Sequence, residues 1–412
     1  MTKKIIAIVD PYSSGAMLVP EFDARGYRCL AVQSSREVPL VFRSSFRPDQ
    51  FIETIQHKGN IEETLEQLKV QDVQFVVGGC ELGLELADQL SEGLGLSSNG
   101  TKYSTTRRDK FLMLERVRET NLSVPRQFKS SKLDDVTEWI ASHCSWPVII
   151  KPTRSFASDC VSLCATDAEV EEAFGRIMNE PNKLGLTNTA VLVQEFLQGT
   201  EYVVDTVSID GLHRVAAFWR YSKPTGKSPF VCYDCMEFLQ SDGPIQDRLF
   251  SYATAVLDAL EIRNGPAHCE IIWVDDAPVL VEVGARLTAP LNAIMGRMCS
   301  DICQLDLAVE AYLKPKTFLA RQPSSYGLTK RAANFFLMPK KMGRLKALPR
   351  LQEIEQLPSF HKMSVGVKPG DVVSRVIGVV TLIHTQRDVL QDDIVKIRRL
   401  EEDGFYELES SA

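Results

Sequence analysis

No stretch of the 412-residue chain approaches the ~20 consecutive apolar residues of a membrane span, so no membrane partner is expected. Basic charge is not in excess either. With 47 Lys and Arg against 54 Asp and Glu, the net charge of -7 argues against nucleic acid as a partner, which needs a basic footprint. The ten cysteines are scattered, and the C-x-x-C at Cys232-Tyr-Asp-Cys235 has no second pair or Cys/His pair at zinc-ligand spacing nearby. The opening MTKKIIAIVDPYSSG has too short an apolar run for a signal peptide and reads as a strand. Reduced thiols in the cytoplasm are therefore the expected setting. Two sequence patterns are also missing. The loop after the first strand lacks G-x-G-x-x-G, and no G-x-x-x-x-G-K-[ST] occurs anywhere, so any ATP must be held without either phosphate loop. No internal repeat or low-complexity segment is visible.

What is present is an ordinary globular composition, 44% hydrophobic and 25% charged, long enough for two to three domains. Residues 4–9 are an apolar strand, followed by a helical pattern through Met17, Leu18 and Phe22 and a strand over 27–32. With a helix near 61–69 and a strand at 75–77, this is a βαβ opening. Helices are predicted over 110–119, 167–178 and 247–260, and strands at 146–151, 190–194 and 201–209. From about residue 318 the text changes to short strands with many Lys, Pro and Gly, which reads as a separate, smaller β-rich unit.

The segment HCEIIWVDDAPVLVEVGAR, 268–286, reads as a hairpin. A three-residue turn, Asp275-Asp276-Ala277, would set Val274 against Pro278, Glu270 against Glu282 and His268 against Gly284. His268, Glu270, Glu282 and Arg286 would then share one face, with Ile271, Trp273, Val279, Val281 and Val283 on the core face. Opposed carboxylates destabilise a sheet unless a cation sits between them, and Mg²⁺ is bound by one or two carboxylates with substrate phosphates. A solvated exposed hairpin explains the same residues equally well, and a two-residue turn would send Glu282 to the other face.

Three other places bear on the choice. Lys151 ends a strand before the hydroxyl-rich Thr153-Arg-Ser-Phe-Ala-Ser-Asp-Cys160, which suits a polyphosphate, and Lys110 heads a helix after Thr105-Thr-Arg-Arg-Asp109. The segment Glu195-Phe-Leu-Gln-Gly-Thr-Glu201 could present backbone groups to a base and a carboxylate to ribose hydroxyls. Each lysine alone is as readily a surface residue, and the last segment alone is a strand–turn–strand.

Their order along the chain, carried by RRDKFLML, VIIKPTRSFASDCV, VLVQEFLQGTEYVVD and AHCEIIWVDDAPVLVEVGARL, resembles the ATP-grasp superfamily. In finer detail, including SVGVKPGDVVSRVIGVVTLIHTQ, it is most similar to the bacterial L-amino acid ligases, which join two L-amino acids into a dipeptide. The resemblance implies an α/β (α+β ATP-grasp) fold. A Rossmann-like N-terminal domain would cover 1–104 and an ATP-grasp region 105–315, divided into a nucleotide-binding part at 110–200 and a metal-site sheet at 201–315. A β-rich lid or substrate domain would follow at 316–412. It gives Lys110, Lys151, Ala157 and Ser158 to the ATP phosphates, Glu195 and Leu197 to the adenine, and Glu201 to the ribose. Glu270 and Glu282 become ligands of Mg²⁺, with Mn²⁺ as the alternative ion, while Arg286 and His268 serve the reacting carboxyl group. Glu81 and Thr288-Ala289-Pro290 are the expected substrate contacts, and a Glu81 facing the pocket would favour a basic or free-amino substrate. Small-molecule amino acids are the expected partners, and a homodimer is the assembly considered. Two positions depart from the family: Gly284 stands where Asn is usual, and the loop at 153–160 has no glycine. A further ATP-grasp carboxylate ligase or carboxylase is the alternative activity.

Overall fold

The computed structural model describes residues 4–156, 158–223, 233–339, 341–373 and 376–409. Strands β1 (Lys4–Val9), β2 (Tyr27–Gln33), β3 (Thr54–Gln56) and β4 (Val73–Gly78) form a parallel sheet in the order β3-β2-β1-β4. Ile6 to Val9 are fully buried, as a parallel strand covered on both faces requires. The chain order reverses between β1 and β4, and ligand crevices of such sheets lie at the carboxyl ends of these strands. There the two following loops press together, because a Cβ on Gly15 would sit 2.3 Å from the Gly79 carbonyl oxygen.

A second, antiparallel sheet has the order β5-β8-β6-β7, from β5 (Gln127–Ser130), β6 (Val148–Pro152), β7 (Ser162–Cys164) and β8 (Val191–Glu195). Its core, with Val136, Ile140, Val148, Ile150, Val170 and Ile177, is its own. The helices over Leu133–His143 and Asp167–Asn179 cover it.

The third sheet is the largest. Its members are β9 (Thr200–Ile209), β10 (Leu212–Ser222), β11 (Cys235–Phe238), β12 (Gly265–Val274), β13 (Ala277–Gly284) and β14 (Arg331–Leu337), and two strands nearer the C-terminus. From there the chain forms β15 (Gly343–Ala347), β16 (Phe360–Val365), β17 (Val372–Val373), β18 (Gly378–His384) and β19 (Glu407–Leu408). The eight-stranded order is β13-β12-β9-β10-β11-β14-β18-β16, and β17-β15-β19 make a small separate sheet.

This corrects the expectation of a separate C-terminal unit. The residues beyond 318 pack around their own core of Phe335, Leu337, Leu345, Ile354, Ile394 and Ile397. Yet their strands continue the central sheet through the β11–β14 ladder, Cys235 against Phe335 to Phe238 against Ala332. They also carry a long helix, Arg387–Glu402, whose buried stripe runs through Leu390, Ile394, Ile397 and Leu400. Among the described residues no helix is long and apolar enough to cross a membrane.

Candidate active site

The β12–β13 hairpin turns in two residues, not three. Asp275 and Asp276 both have positive φ, 47° and 61°, the conformation of a two-residue turn that matches strand twist. The ladder runs from Val274 against Ala277 to Ile271 against Leu280, then slips by one residue. Val281 is the extra residue of a β-bulge, and beyond it Glu270 faces Glu282 and His268 faces Gly284. The opposition of the two carboxylates is thus as expected, by another route. The core face differs, however: Leu280 is fully buried with Ile271 and Cys269, whereas the half-buried Val279 and Val281 lie off it. Trp273 is also only half-buried, and the Arg248 guanidinium sits 4.5 Å above its ring centre.

Ladder partners share a face, so Glu201, Asp205, Tyr221, Met236, His268, Glu270 and Ile272 all project from one side of the central sheet. Asp205 is fully buried there and accepts from Trp219 Nε1 at 2.7 Å and from His268 Nδ1 at 2.7 Å. His268 Nε2 then points at Glu270, 3.4 Å away. Burial works against an imidazolium, but the Asp205 carboxylate outweighs it and lifts the His268 pKa to about 9.

Glu282 receives the Lys110 ammonium at 2.9 Å, and Lys110 also donates to the Ser155 carbonyl at 2.8 Å. Burial alone would raise Glu282, yet the charges of Lys110 and Lys151 hold it below the ordinary carboxylate range. Lys151 is desolvated, which pushes its pKa down to about 8 against the pull of Glu282. Arg286 donates from Nε to Glu81 at 2.8 Å, and Arg108 pairs with the other oxygen of Glu81. Despite burial, Arg286 and Arg108 keep Glu81 ionised, with its pKa below the usual value.

Two cavities meet at these charges. The first, about 130 Å³, lies between the β6–β8 sheet and the β12–β13 hairpin. Lys110, Lys151, Ser155, Ser158, Phe196, Leu197, Glu201, Ile272 and Val281 are among its walls. The second, about 560 Å³, opens toward the N-terminal sheet and the residues beyond 235. Phe156, Ser158, Tyr233, Glu270 and Glu282 border both.

Residues 144–292 match the model of the ATP-grasp domain. A relative 31% identical over 420 residues is dapdiamide A synthase of Enterobacter agglomerans, the match covering 98% of this chain and 97% of that protein. The chain belongs to the ATP-grasp family. A more distant relative is the L-arginine-specific L-amino acid ligase of Bacillus subtilis, 20% identical across 75% of this chain and 73% of that one. Among solved structures, the L-amino acid ligase from Bacillus licheniformis shares the fold at a TM-score of 0.72 and 18% identity, covering 99% of each chain.

Within this ATP-grasp frame, most of the residues picked from sequence converge. Lys110, Lys151, Ser158, Glu195, Leu197 and Glu201 line the first cavity, and Glu270 and Glu282 line both. Arg286, His268, Glu81 and Ala289 line the second. Thr288 and Pro290 do not border it: Thr288 is buried and donates its backbone N–H to Gln304 Oε1 at 2.6 Å, and Pro290 starts a helix. Ala157 and Cys232 lie outside the described residues. The Glu195 carboxylate is occupied by the backbone N–H and Nε of Arg126, both at 2.8 Å.

Glu81 borders the second cavity, but its charge is already matched by two guanidinium groups, leaving none over for a basic substrate. The same pair accounts for Gly284. A Cβ there would fall 2.9 Å from Glu81 Oε1 and 3.2 Å from Arg286 Cζ, so an Asn would displace the clamp. In the glycine-free loop, Ser158 and Cys160 take up positive φ themselves, at 52° and 53°.

Sequence reading missed Asp205, Arg108, Lys223 and Tyr233. Lys223 and the Tyr233 hydroxyl each lie 2.8 Å from the buried Glu201 carboxylate, whose pKa burial raises. Asp205 alone had a signal, a single acid inside the apolar run of β9. Among the described residues no three His, Cys, Asp or Glu side chains form a metal-holding group. The two opposed carboxylates of Glu270 and Glu282 nonetheless offer the hard oxygen donors that Mg²⁺ takes together with phosphate oxygens.

Proposed function

We propose that the protein is an ATP-dependent ligase joining two L-amino acids through an acyl-phosphate intermediate. The observation that carries this reading is that the two cavities meet over one pair of carboxylates, Glu270 and Glu282, ringed by cations. A nucleotide in the first cavity would direct its terminal phosphate to the place where the second cavity delivers a carboxylate. The 31% identical synthase and the L-amino acid ligase among the relatives support the same chemistry.

In this reading the backbone at Glu195 and Leu197 and the apolar Ile272 and Val281 hold the base, and Glu201, with Tyr233 and Lys223, holds the ribose. Lys110 and Lys151 receive the phosphates. Glu270 and Glu282 would hold Mg²⁺, which supplies charge neutralisation on the phosphate oxygens. An oxygen of the first amino acid's carboxylate attacks the γ-phosphorus, an O–P bond forms, and the bond to the β-phosphate oxygen breaks to release ADP. The amine of the second amino acid then attacks the acyl carbon, phosphate departs with the C–O electron pair, and the amine proton passes to solvent or phosphate. Arg286, steadied by Glu81, and the His268 imidazolium, steadied by Asp205, offset the charge that develops on the acyl oxygens. Water must be kept out while the acyl phosphate lasts, and Phe156 and Ser158, which border both cavities, are the side chains to do it. The supply of ATP and reduced thiols fits a cytoplasmic enzyme.

The test is ADP and phosphate release over single and paired L-amino acids. Release that requires amino acids, with a dipeptide in the products, is expected. Release with bicarbonate or a purine precursor in their place would assign the carboxylase chemistry instead.

A further inference from the structure

Beyond Glu270 and Glu282, the second cavity is lined by two groups of residues from different parts of the chain, and the two ends they form differ in chemistry. One end is walled by Met236 on β11, Phe336 on β14 and Val376 between β17 and β18. The ladder holds them: the Phe336 N–H donates to the Asp234 carbonyl at 2.8 Å, and the Ile377 N–H donates to the Leu337 carbonyl at 2.9 Å. Tyr221 and Tyr233 adjoin this wall, ring centres 4.7 Å apart. Both phenol oxygens have protein partners, Tyr233 donating to Glu201 and Tyr221 accepting from Asn292 Nδ2 at 3.1 Å. Apart from the Tyr221 O–H, carbon and the Met236 sulfur are what remain to meet a ligand at this end.

The other end belongs to the N-terminal sheet and the excursion after the helix Asp167–Asn179. Ser13, Ser14, Phe42, Cys80 and Lys183 border it, so among the described residues Lys183 is its one full charge away from the Glu81 clamp. The excursion is pinned, since buried Asn182 donates to the Arg154 carbonyl at 2.6 Å and Leu184 packs with Tyr12, Phe42 and Cys80. The Lys183 backbone N–H donates to Asp159 at 2.7 Å, tying it to the loop that carries Ser158. Among the described residues the Lys183 ammonium has no ion-pair partner.

We propose that the two reactants are chemically unlike. One carries an apolar side chain lodged against Met236, Phe336 and Val376, and the other carries an additional anionic group drawn to Lys183. A charged side chain at the first end would lose its hydration with no counter-charge there, whereas an anion at the second end meets an unpaired cation. A cavity of about 560 Å³ falls within the range of small-molecule sites. This inference rests on the ligase reading for its two reactants, but the selectivity of the two ends can be measured apart from turnover.

The experiment combines calorimetric binding of L-leucine, L-phenylalanine, L-serine and L-glutamate with ADP release from their pairs. The wild type is compared with Phe336→Asn, Val376→Asp and Lys183→Glu. Val376 is 41% exposed at the rim, so its variant stays informative if the Phe336 variant does not fold. The expected result is tight binding of leucine or phenylalanine over serine. The Phe336 and Val376 variants should raise KM for the apolar reactant on the order of tenfold more than for its partner. Lys183→Glu should do the reverse, raising KM for glutamate most. Apolar-selective binding that Val376→Asp abolishes, with glutamate binding that Lys183→Glu abolishes, but without amino-acid-dependent ADP release, would uphold the selectivity of the two ends and overturn the ligase reading. Amino-acid-dependent release whose selectivity all three variants leave unchanged would overturn this inference alone.

Discussion

The two cavities share a floor at Glu270 and Glu282 and differ in almost everything else. In the first, every nearby charge has a counter-charge: Lys110 on Glu282, Lys223 on Glu201, and Lys151 beside both glutamates of the hairpin. About half of its walls come from strands, which hold side chains to fixed directions, and the rest from a helix start at Lys110 and from loops such as the one carrying Ser155 and Ser158. The second is about four times larger, and most of its charges crowd near the shared floor, while its far walls are rings, methyl groups, a few hydroxyls and the ammonium of Lys183. Its residues run from Ser13 to Val376 and come largely from loops. The contrast separates two tasks. In the proposed reaction, phosphoryl transfer to a carboxylate needs positions set in advance, and the paired strands that carry Glu270 and Glu282 set them. Choice of substrate needs surface that can vary without disturbing that centre, and loops supply it.

If that division holds, damage to the shared floor should outweigh damage to either wall. Glu282→Gln removes a charge that serves both cavities, and turnover should fall on the order of a thousandfold, matching the several kcal/mol a bound metal supplies. Steady-state ADP release checks it, and full turnover would refute the metal assignment. Next in size is Lys151→Met, at a side chain that borders the first cavity and not the second. A loss of about a hundredfold in kcat/KM for ATP is expected, with calorimetric binding of amino acids to the second cavity kept. Equal loss of both would mean the cavities are not separable. The wild type should also bind ATP more weakly as pH rises through about 8, where the desolvated Lys151 ammonium deprotonates.

The floor was readable in the sequence and the walls were not, for physical reasons. Alternation along β12 put His268 and Glu270 on one face whatever the turn did. The turn length was misjudged, and Glu282 still arrived opposite Glu270 because Val281 bulges out of the ladder. A bulge leaves no mark in a run such as Val279-Leu-Val-Glu282. The clamp on Glu81 joins residues 27 and 205 positions away, a distance at which no periodicity carries information. The helix Arg387–Glu402 was legible, since Leu390, Ile394 and Ile397 recur at helical spacing, but the Lys- and Gly-rich text before it drew the reading toward strands. Continuity of β11 with β14 across nearly a hundred residues was beyond any local signal.

The clamp offers a test at the border between floor and wall. Glu81→Gln keeps the shape but leaves Arg108 and Arg286 without their shared carboxylate. Loss of one partner from a buried ionic group costs about 3 kcal/mol, visible as a lower Tm. Because Arg286 would lose its fixed direction, kcat should drop about tenfold more than KM for ATP rises. Gly284→Asn should reproduce that kinetic split, since its side chain would enter the space the pair occupies. A Gly284→Asn enzyme with unchanged kcat would show that the clamp is not needed for the reaction.

The smallest effect concerns His268 and separates its ionic support from the rest of the floor. Its pKa rises from the ordinary 6.5 to about 9 because the buried Asp205 carboxylate overcomes the penalty of burial. A basic group raised on folding stabilises fully below its unfolded value, so the contribution is complete below pH 6.5 and lost between 6.5 and 9. At about 1.4 kcal/mol per unit, it amounts to roughly 3 kcal/mol at most. Lys151 works in the opposite sense. Its lowered pKa makes stability rise with pH between about 8 and its ordinary 10.5, so the wild-type curve alone mixes the two. Asp205→Asn removes only the first contribution, and subtracting the two thermal-unfolding series cancels the second. The difference in Tm should therefore be largest near pH 6 and shrink steadily toward pH 9. Parallel curves would mean that Asp205 supports β9 through Trp219 alone and leaves the imidazole uncharged.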